Sequence, residues 1–359
     1  MSSTKPIYRI PTLDGLRAIS IAMVWWGHLS GTPGVNFGMS FASQIANTGV
    51  RVFFVISGFL ITSLLLNEQE RTSRISLKDF YLRRIFRIFP AFYFYIAVAV
   101  LLVVLGRVAV KPGDLLFAVT YLSNFHHDHA WYVGHLWSLS VEEQFYLLWP
   151  AVVAFSSRKT AIRVAVAVML TAPLFRLYFY YGTQVAHEGV GKIFPTIADA
   201  LAAGCLLAYF QTELAQNARY QRFKASPLFA VVPLVVVAAL FTFDHPMVNF
   251  AVGQTAMNIA IAMCIDWTIS RPNNALGRLL ETRPFVFVGV LSYSLYLWQQ
   301  PFLNRYMHSV FTQAPLNLIC AFAAACFSYY LIEKPFLKLK KRFAADSVIV
   351  LKSQAVTAD

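Results

Sequence analysis

Apolar residues fall in long runs along this chain, separated by short polar and basic segments. A helix needs about 20 mostly apolar residues to cross a bilayer. Ten stretches meet that requirement: 12–31, 47–66, 86–105, 141–157, 161–181, 195–210, 227–243, 250–269, 285–303 and 315–333. The pattern predicts an all-α polytopic membrane protein with about ten transmembrane helices. A further apolar stretch near 114–125 is shorter and interrupted by polar residues, so it is expected as a re-entrant or interfacial piece of the 106–140 connection. No internal repeat is evident. The expected division is a membrane-embedded domain over 1–337 and a basic cytoplasmic tail over 338–359.

Composition agrees with this pattern. Of 359 residues, 58% are hydrophobic and 13% charged, against about 25% charged in a soluble domain. The mean hydropathy is +0.57. Disorder, a coiled coil and a small disulfide scaffold are excluded. The net charge of +13 would suggest nucleic acid in a soluble protein. Here the positive-inside bias accounts for it, and no nucleic-acid partner is expected. With an inside N-terminus and ten crossings, 23 Lys and Arg fall on inside segments and only Arg107, Lys111, Lys192 and Arg305 outside. Both termini are therefore expected in the cytoplasm, with the lipid bilayer as the obligatory partner. Cys205, Cys264, Cys320 and Cys326 lie in apolar runs without a CxxC pair and read as buried, reduced thiols. No cleavable leader is expected, because the first twelve residues are polar and the first apolar run carries Asp14 and Arg17.

Ionisable residues inside spans are costly, so they mark function by default. On the first helix, Arg17 and His28 are eleven residues apart, about three turns, which returns them to within about 20° of one face. Asp14 lies three residues before Arg17 on the same stripe. The plainer alternative is an interfacial Asp14–Arg17 pair and a packed histidine. Arg84 and Arg87, three apart at the start of the third helix, share a face that Arg83 does not. They read either as topological anchors or as an anion site, since guanidinium binds phosphate bidentately. His135, Glu142 and Glu143 lead from an outside connection into the fourth helix. Ser140 and Glu143 fit a capping box with the helix starting just after Ser140. The two glutamates and His135 are then expected at the outer surface, able to handle protons. Arg51, Arg176 and Asp199 fall toward the outside, Asp266 and Glu333 toward the inside; Arg176 and Asp199 are expected to pair. The run His126–His127–Asp128–His129 lacks the spacing of a metal site, and no metal is expected. Walker A, GxSxG and HExxH motifs are absent.

The strings carrying these residues are LDGLRAISIAMVWWGH (13–28), GVRVFFVISGFLIT (49–62), the Arg84/Arg87 segment, HLWSLSVEEQFYLLWP (135–150), LSYSLYLWQQP (291–301) and LIEKPF (331–336). In order and spacing they resemble the acyltransferase-three family of integral-membrane acyltransferases, over nearly the whole chain. That family includes bacterial enzymes that O-acetylate polysaccharides and other glycans. Its basic-X10-histidine motif falls on Arg17 and His28, and its RxxR motif on Arg84 and Arg87. One departure is Gln299, where relatives commonly carry histidine; hydrogen bonding survives there but proton transfer does not. No stretch resembles the SGNH-hydrolase domain of longer relatives, so that function is expected to be absent or supplied by another protein.

The resemblance implies a plasma (inner) membrane O-acyltransferase of a bacterium. The donor would be cytoplasmic acyl-CoA, most often acetyl-CoA, acting as co-substrate with no permanently bound cofactor. Arg84 and Arg87 would receive the donor's phosphates. Arg17 would join them or, through Asp14, orient the first helix. The acceptor would be a hydroxyl, first of all on a lipid-linked or exported saccharide: lipopolysaccharide O-antigen, exopolysaccharide, peptidoglycan or a lipid-linked oligosaccharide, with a small natural product as a further alternative. His28 would serve as its base or as an acyl relay, with His135, Glu142 and Glu143 assisting. Ser57 and Gly58 would either permit close substrate approach or simply pack helices, and Glu333 is a further supporting residue. The rival classes are a transporter or flippase without chemistry, which should show inverted repeats, and a sensor or scaffold whose charges only pair. Nothing in the sequence fixes an oligomeric state.

Overall fold

The computed structural model describes residues 9–342 apart from 184 and 186. Lys5 and the tail from 343 lie outside the described residues. Ten long helices follow the ten apolar stretches: α1 Pro11–Leu29, α2 Met39–Thr72, α3 Leu77–Val104, α4 Leu136–Phe155, α5 Arg158–Gly182, α6 Phe194–Gln216, α7 Val231–Leu240, α8 Gln254–Ile269, α9 Arg283–Phe302 and α10 Leu316–Phe327. The described residues contain no strand. A π-helical segment, Ser328–Glu333, leads from α10 into a last helix, Lys334–Arg342, so helix continues across the expected boundary at 337.

Among the described residues, six stretches are long and apolar enough to cross a membrane: α2, α3, α5, α6, Pro246–Ile269 and Leu316–Leu339. The bent pair Ala218–Ala225 and Pro227–Leu240 would make a seventh. Helices α1, α4 and α9 have 19, 20 and 20 residues and fail on apolarity, not length. These three carry Arg17 and His28, Glu142 and Glu143, and Tyr293, Tyr296 and Gln299. These three helices, too polar to stand alone in lipid, contribute side chains to the same cavities as α2 and α3.

Local chemistry sets the helix ends. Proline occupies the first turn of α1 and α9, where its missing N–H costs nothing. Ser76 caps α3 by accepting from the Asp79 amide at 3.3 Å, and Ser157 caps α5 from Thr160 at 3.2 Å. Leu101, Val104, Leu147, Leu148, Leu170 and Leu174 remain exposed around the bundle. Lipid is the solvent that such a rim requires.

Helix α1 packs between α2 and α9, and α2 lies along α6. The α2–α6 approach depends on glycine. A Cβ on Gly58 would lie 2.0 Å from the Leu201 carbonyl oxygen, and one on Gly204 2.0 Å from that of Val55. Gly58 thus belongs to a helix contact of the small-residue type. It does not line the substrate space that its neighbour Ser57 lines.

The connection between α3 and α4 folds as a short helix, Asp114–Val119, a 3-10 turn, Ser123–Phe125, and a single turn, Trp131–Gly134. Tyr121 stacks on Phe92 with ring centres 4.2 Å apart. The amide of Ser123 donates to Ser140 Oγ at 3.2 Å. The connection therefore lies against α3 and α4.

Candidate active site

Two neighbouring cavities lie within the bundle: one among α1, α2, α3, α4 and α9, the other among α1, α2, α6, α7, α8, α9 and the connection before α4. The smaller, about 100 Å³, is lined by Arg17, Arg84 and Arg87 with Ser57, Glu142 and Glu143. The larger, about 960 Å³, is lined by His28, His129 and His135 with Asn47, Arg51 and Trp131. Val50 and Tyr296 line both. The arginine cavity and the histidine chamber therefore abut at those two side chains.

The three arginines are held in three ways. Arg17 Nη1 lies 3.4 Å from Asp14 Oδ1, and Asp14 also pairs with Arg9. Arg87 lies 3.6 Å from Glu333 Oε1. Glu333 ends the π-helical segment, is 1% exposed, and accepts from Ser294 Oγ at 3.0 Å. Arg84 has no carboxylate ion pair among the described residues. Its guanidinium lies over the rings of Phe80, 5.5 Å, and Tyr146, 5.4 Å. Arg83 faces elsewhere and pairs with Glu68 at 2.9 Å. Arginine without a carboxylate, beside a cavity, is suited to an anion.

Glu142 and Glu143 belong to this arginine cavity, which corrects their expected place at the outer surface beside His28. Helix α4 begins at Leu136 with His135 as its N-cap residue and without a side-chain cap. Ser140 is not a cap; its hydroxyl donates to Leu136 O at 3.1 Å inside the helix. The glutamates therefore sit nearly two turns into α4. Glu142 Oε1 accepts from Ser57 Oγ at 2.6 Å, and Tyr146 donates to the same serine oxygen at 3.3 Å.

In the histidine chamber, His28 Nδ1 is 2.8 Å from Gln299 Oε1. An amide oxygen only accepts, so Nδ1 carries the proton and Nε2 keeps its lone pair. The orienting partner of His28 is therefore Gln299 and neither glutamate. The imidazole also meets Trp131 edge-on, with centres 5.5 Å apart. His135, 2% exposed, packs its ring against Tyr95 and Tyr296 at 5.4 and 5.5 Å. The Tyr296 hydroxyl lies 2.5 Å from Ser138 Oγ and donates to His135 O at 3.0 Å, which fixes the ring between the cavities.

The histidine run of the connection is dispersed. His126 lies 3.0 Å from Asp114 and stacks on Phe117, Asp128 pairs with Lys111, and His129 lines the chamber. Burial, reinforced by the Lys192 ammonium, lowers the His129 imidazole to about 4, so it is neutral near pH 7. Among the described residues no group of three His, Cys, Asp or Glu is arranged to hold a metal ion. Arg176 and Asp199 do pair, both fully buried, and neither lines the histidine chamber.

A sequence profile described as an acyltransferase domain matches residues 10–333. The chain belongs to this acyltransferase family. It is 30% identical to YrhL of Bacillus subtilis over 362 residues, covering 91% of this chain and 54% of YrhL. It is 28% identical to the peptidoglycan O-acetyltransferase OatA of Listeria monocytogenes, covering 92% of this chain and 56% of that protein. The O-acetyltransferase OatA of Staphylococcus aureus is likewise 28% identical, with 95% and 61% covered. The match thus spans little more than half the length of these relatives. No solved structure matches.

Within this acyltransferase fold, three residues gain importance that the sequence did not single out, and Arg51, noted there only as a charge inside a span, gains a place. Tyr296 separates the cavities, Tyr146 holds Arg84, Ser294 holds Glu333, and Arg51 lines the histidine chamber. The first and third lie four and two residues from Ser292 on α9, within the quoted LSYSLYLWQQP string. Their spacing alone carried no signal, because Tyr and Ser in a span read equally well as packing.

Proposed function

We propose that the protein is a membrane-bound O-acyltransferase of the bacterial inner membrane. It moves an acyl group, typically acetyl, from cytoplasmic acyl-CoA to a hydroxyl of a cell-envelope saccharide. The observation that carries this reading is the pair of abutting cavities, one bearing three arginines and the other an imidazole whose Nδ1 is already bonded. The peptidoglycan O-acetyltransferase relatives support the choice of a saccharide acceptor.

Coenzyme A brings several phosphate charges, and Arg84, Arg87 and Arg17 supply the matching donors. The arginine cavity has room for a few waters' volume. The nucleotide therefore stays at its mouth and the slender pantetheine arm enters. The acyl thioester is presented past Tyr296 to the histidine chamber. There His28 Nε2 removes the acceptor hydroxyl's proton as its oxygen attacks the thioester carbonyl. The C–S bond breaks, and the imidazolium returns the proton to the departing thiolate. Transfer through an acyl-imidazole uses the same lone pair. Gln299 holds the ring in the useful tautomer throughout.

The test uses purified protein with labelled acetyl-CoA and a saccharide acceptor. Protein-dependent release of coenzyme A with label on the acceptor is expected. His28→Ala should lower that rate by about 10²–10⁴-fold, the usual worth of a general base, while the variant still inserts and purifies. Near-parental transfer by His28→Ala would remove this residue from the mechanism. No thioester cleavage by the parent would reject the reading as a whole.

A further inference from the structure

The charged side chains that line the histidine chamber are all basic. Arg51, Lys111, Lys192 and Arg305 line it, and no aspartate or glutamate does so among the described residues. The arginine cavity next door contains two glutamates beside its three arginines. Lys111 is compensated by Asp128, which stands outside the chamber wall. Arg305 donates to Gly27 O at 3.0 Å and lies over the Trp131 ring at 4.9 Å.

Arg51 is the informative member. It lies within α2 and is 5% exposed. Its hydrogen bonds run to Asn258 Oδ1 at 3.2 Å and Gln254 Oε1 at 2.5 Å, both neutral amide oxygens on α8. Among the described residues no carboxylate makes an ion pair with it: Asp199 is near enough to act on it electrostatically, but is ion-paired to Arg176, whose charge opposes that attraction. A buried guanidinium whose own hydrogen bonds reach only neutral groups is costly and is retained where it meets an anion. Two amide bonds use two of its five N–H donors. Around it the chamber offers Asn47, Gln44, Gln300 and Asn304 for hydroxyl groups, and Trp131 for the apolar face of a sugar ring.

We propose that the acceptor is an anionic saccharide, with a carboxylate or phosphate near the receiving hydroxyl, and that Arg51 binds this charge. Lys192, on the segment before α6, adds attraction at the chamber wall. The acceptor identity rests on the acyl-transfer reading; the charge preference of the chamber can be measured without it.

The measurement is sugar binding to the detergent-purified protein with no donor present, followed by tryptophan fluorescence. The probes are methyl glucoside, glucuronic acid, glucose 1-phosphate and free coenzyme A. One of the two anionic sugars should bind about tenfold or more tightly than the neutral one, as a charge-assisted contact implies; which of them leads identifies the carboxylate or the phosphate. Arg51→Gln should erase the preference, and Arg51→Lys should keep part of it. If Arg51→Gln does not purify as a folded protein, Lys192→Gln and a salt series serve instead, and both should narrow the gap. Three results would overturn the proposal. They are equal binding of charged and neutral sugars, binding of neither anion in the millimolar range, and dependence on Arg51 for coenzyme A but not for the sugars. Thioester cleavage without a charge preference rejects this inference alone. A charge preference without cleavage rejects the transfer reading alone.

Discussion

Arg17, Arg84 and Arg87 face one cavity, yet their partners make them unequal. Asp14 and Glu333 already neutralise much of Arg17 and Arg87, whereas Arg84 is held by the faces of Phe80 and Tyr146. An incoming phosphate therefore gains most from Arg84. Arg84→Ala should raise the donor KM by about tenfold or more, from a charge-assisted contact of about 1.5–3 kcal/mol. Arg87→Ala should also strand the buried Glu333 carboxylate, so it should lower thermal stability as well as donor affinity. Donor titrations and melting curves on both variants separate these effects, and an unchanged donor KM in each would reduce the pair to topological anchors. Gln299 invites a different test. Gln299→Leu removes the acceptor from His28 Nδ1 while leaving a side chain of similar size. The turnover rate should fall by about tenfold or more with the donor KM unchanged, and Gln299→His should retain more of it. A loss in donor KM alone would place Gln299 outside the positioning of His28.

Among elements, the α2–α6 pair is the most constrained. Gly58 and Gly204 each bring a backbone oxygen to where a Cβ would stand, and backbone cannot rotate away as a side chain can. Gly58→Ala should lower the melting temperature in detergent through overpacking of at least about 1–3 kcal/mol. Ala at an exposed position such as Leu170 gives the baseline, and an unchanged melt would contradict the close approach. Helix α4 shows where the sequence misleads at this scale. Ser140 and Glu143 have the spacing of a capping box, but the turn Trp131–Gly134 runs into α4 through His135, so the helix is already under way. Both serines on that stretch turn to backbone carbonyls instead. That shift of about one turn carries Glu142 and Glu143 from the histidine chamber to the arginines. The stripe Asp14–Arg17–His28 was legible because it lies on one helix, where spacing is geometry. The His28–Gln299 bond was not, because it joins residues 271 apart, and no local pattern records which helices will meet. Arg51 was legible as an anomaly and illegible as a wall of the chamber for the same reason.

At the scale of the whole molecule, the proposed transfer carries a prediction of sidedness, with the arginine cavity toward the inside and the histidine chamber toward the outside. Arg84 and Arg87 lie at the start of α3, on a segment that the distribution of Lys and Arg assigns to the cytoplasm. His28 ends α1, eleven residues beyond Arg17, and a rise of about 1.5 Å per residue separates the two by about 16 Å. Moving a charged nucleotide that distance through apolar surroundings would be prohibitive, whereas an uncharged acyl-pantetheine arm can extend along it. On the proposed mechanism the nucleotide and its phosphates stay inside, and the acyl group alone changes sides. In sealed right-side-out vesicles, acetyl-CoA loaded inside should therefore acylate a saccharide supplied outside, and acetyl-CoA added only outside should be inert. Filling the shared wall should sever the two half-sites: Val50→Trp, narrowing the passage beside Tyr296, should abolish this transfer while acetyl-CoA still protects the arginine cavity from an arginine-specific reagent. Transfer that requires donor and acceptor in the same compartment would defeat the two-sided arrangement even with His28 as the base, because the arginines and the imidazole would then have to be reached from one mouth.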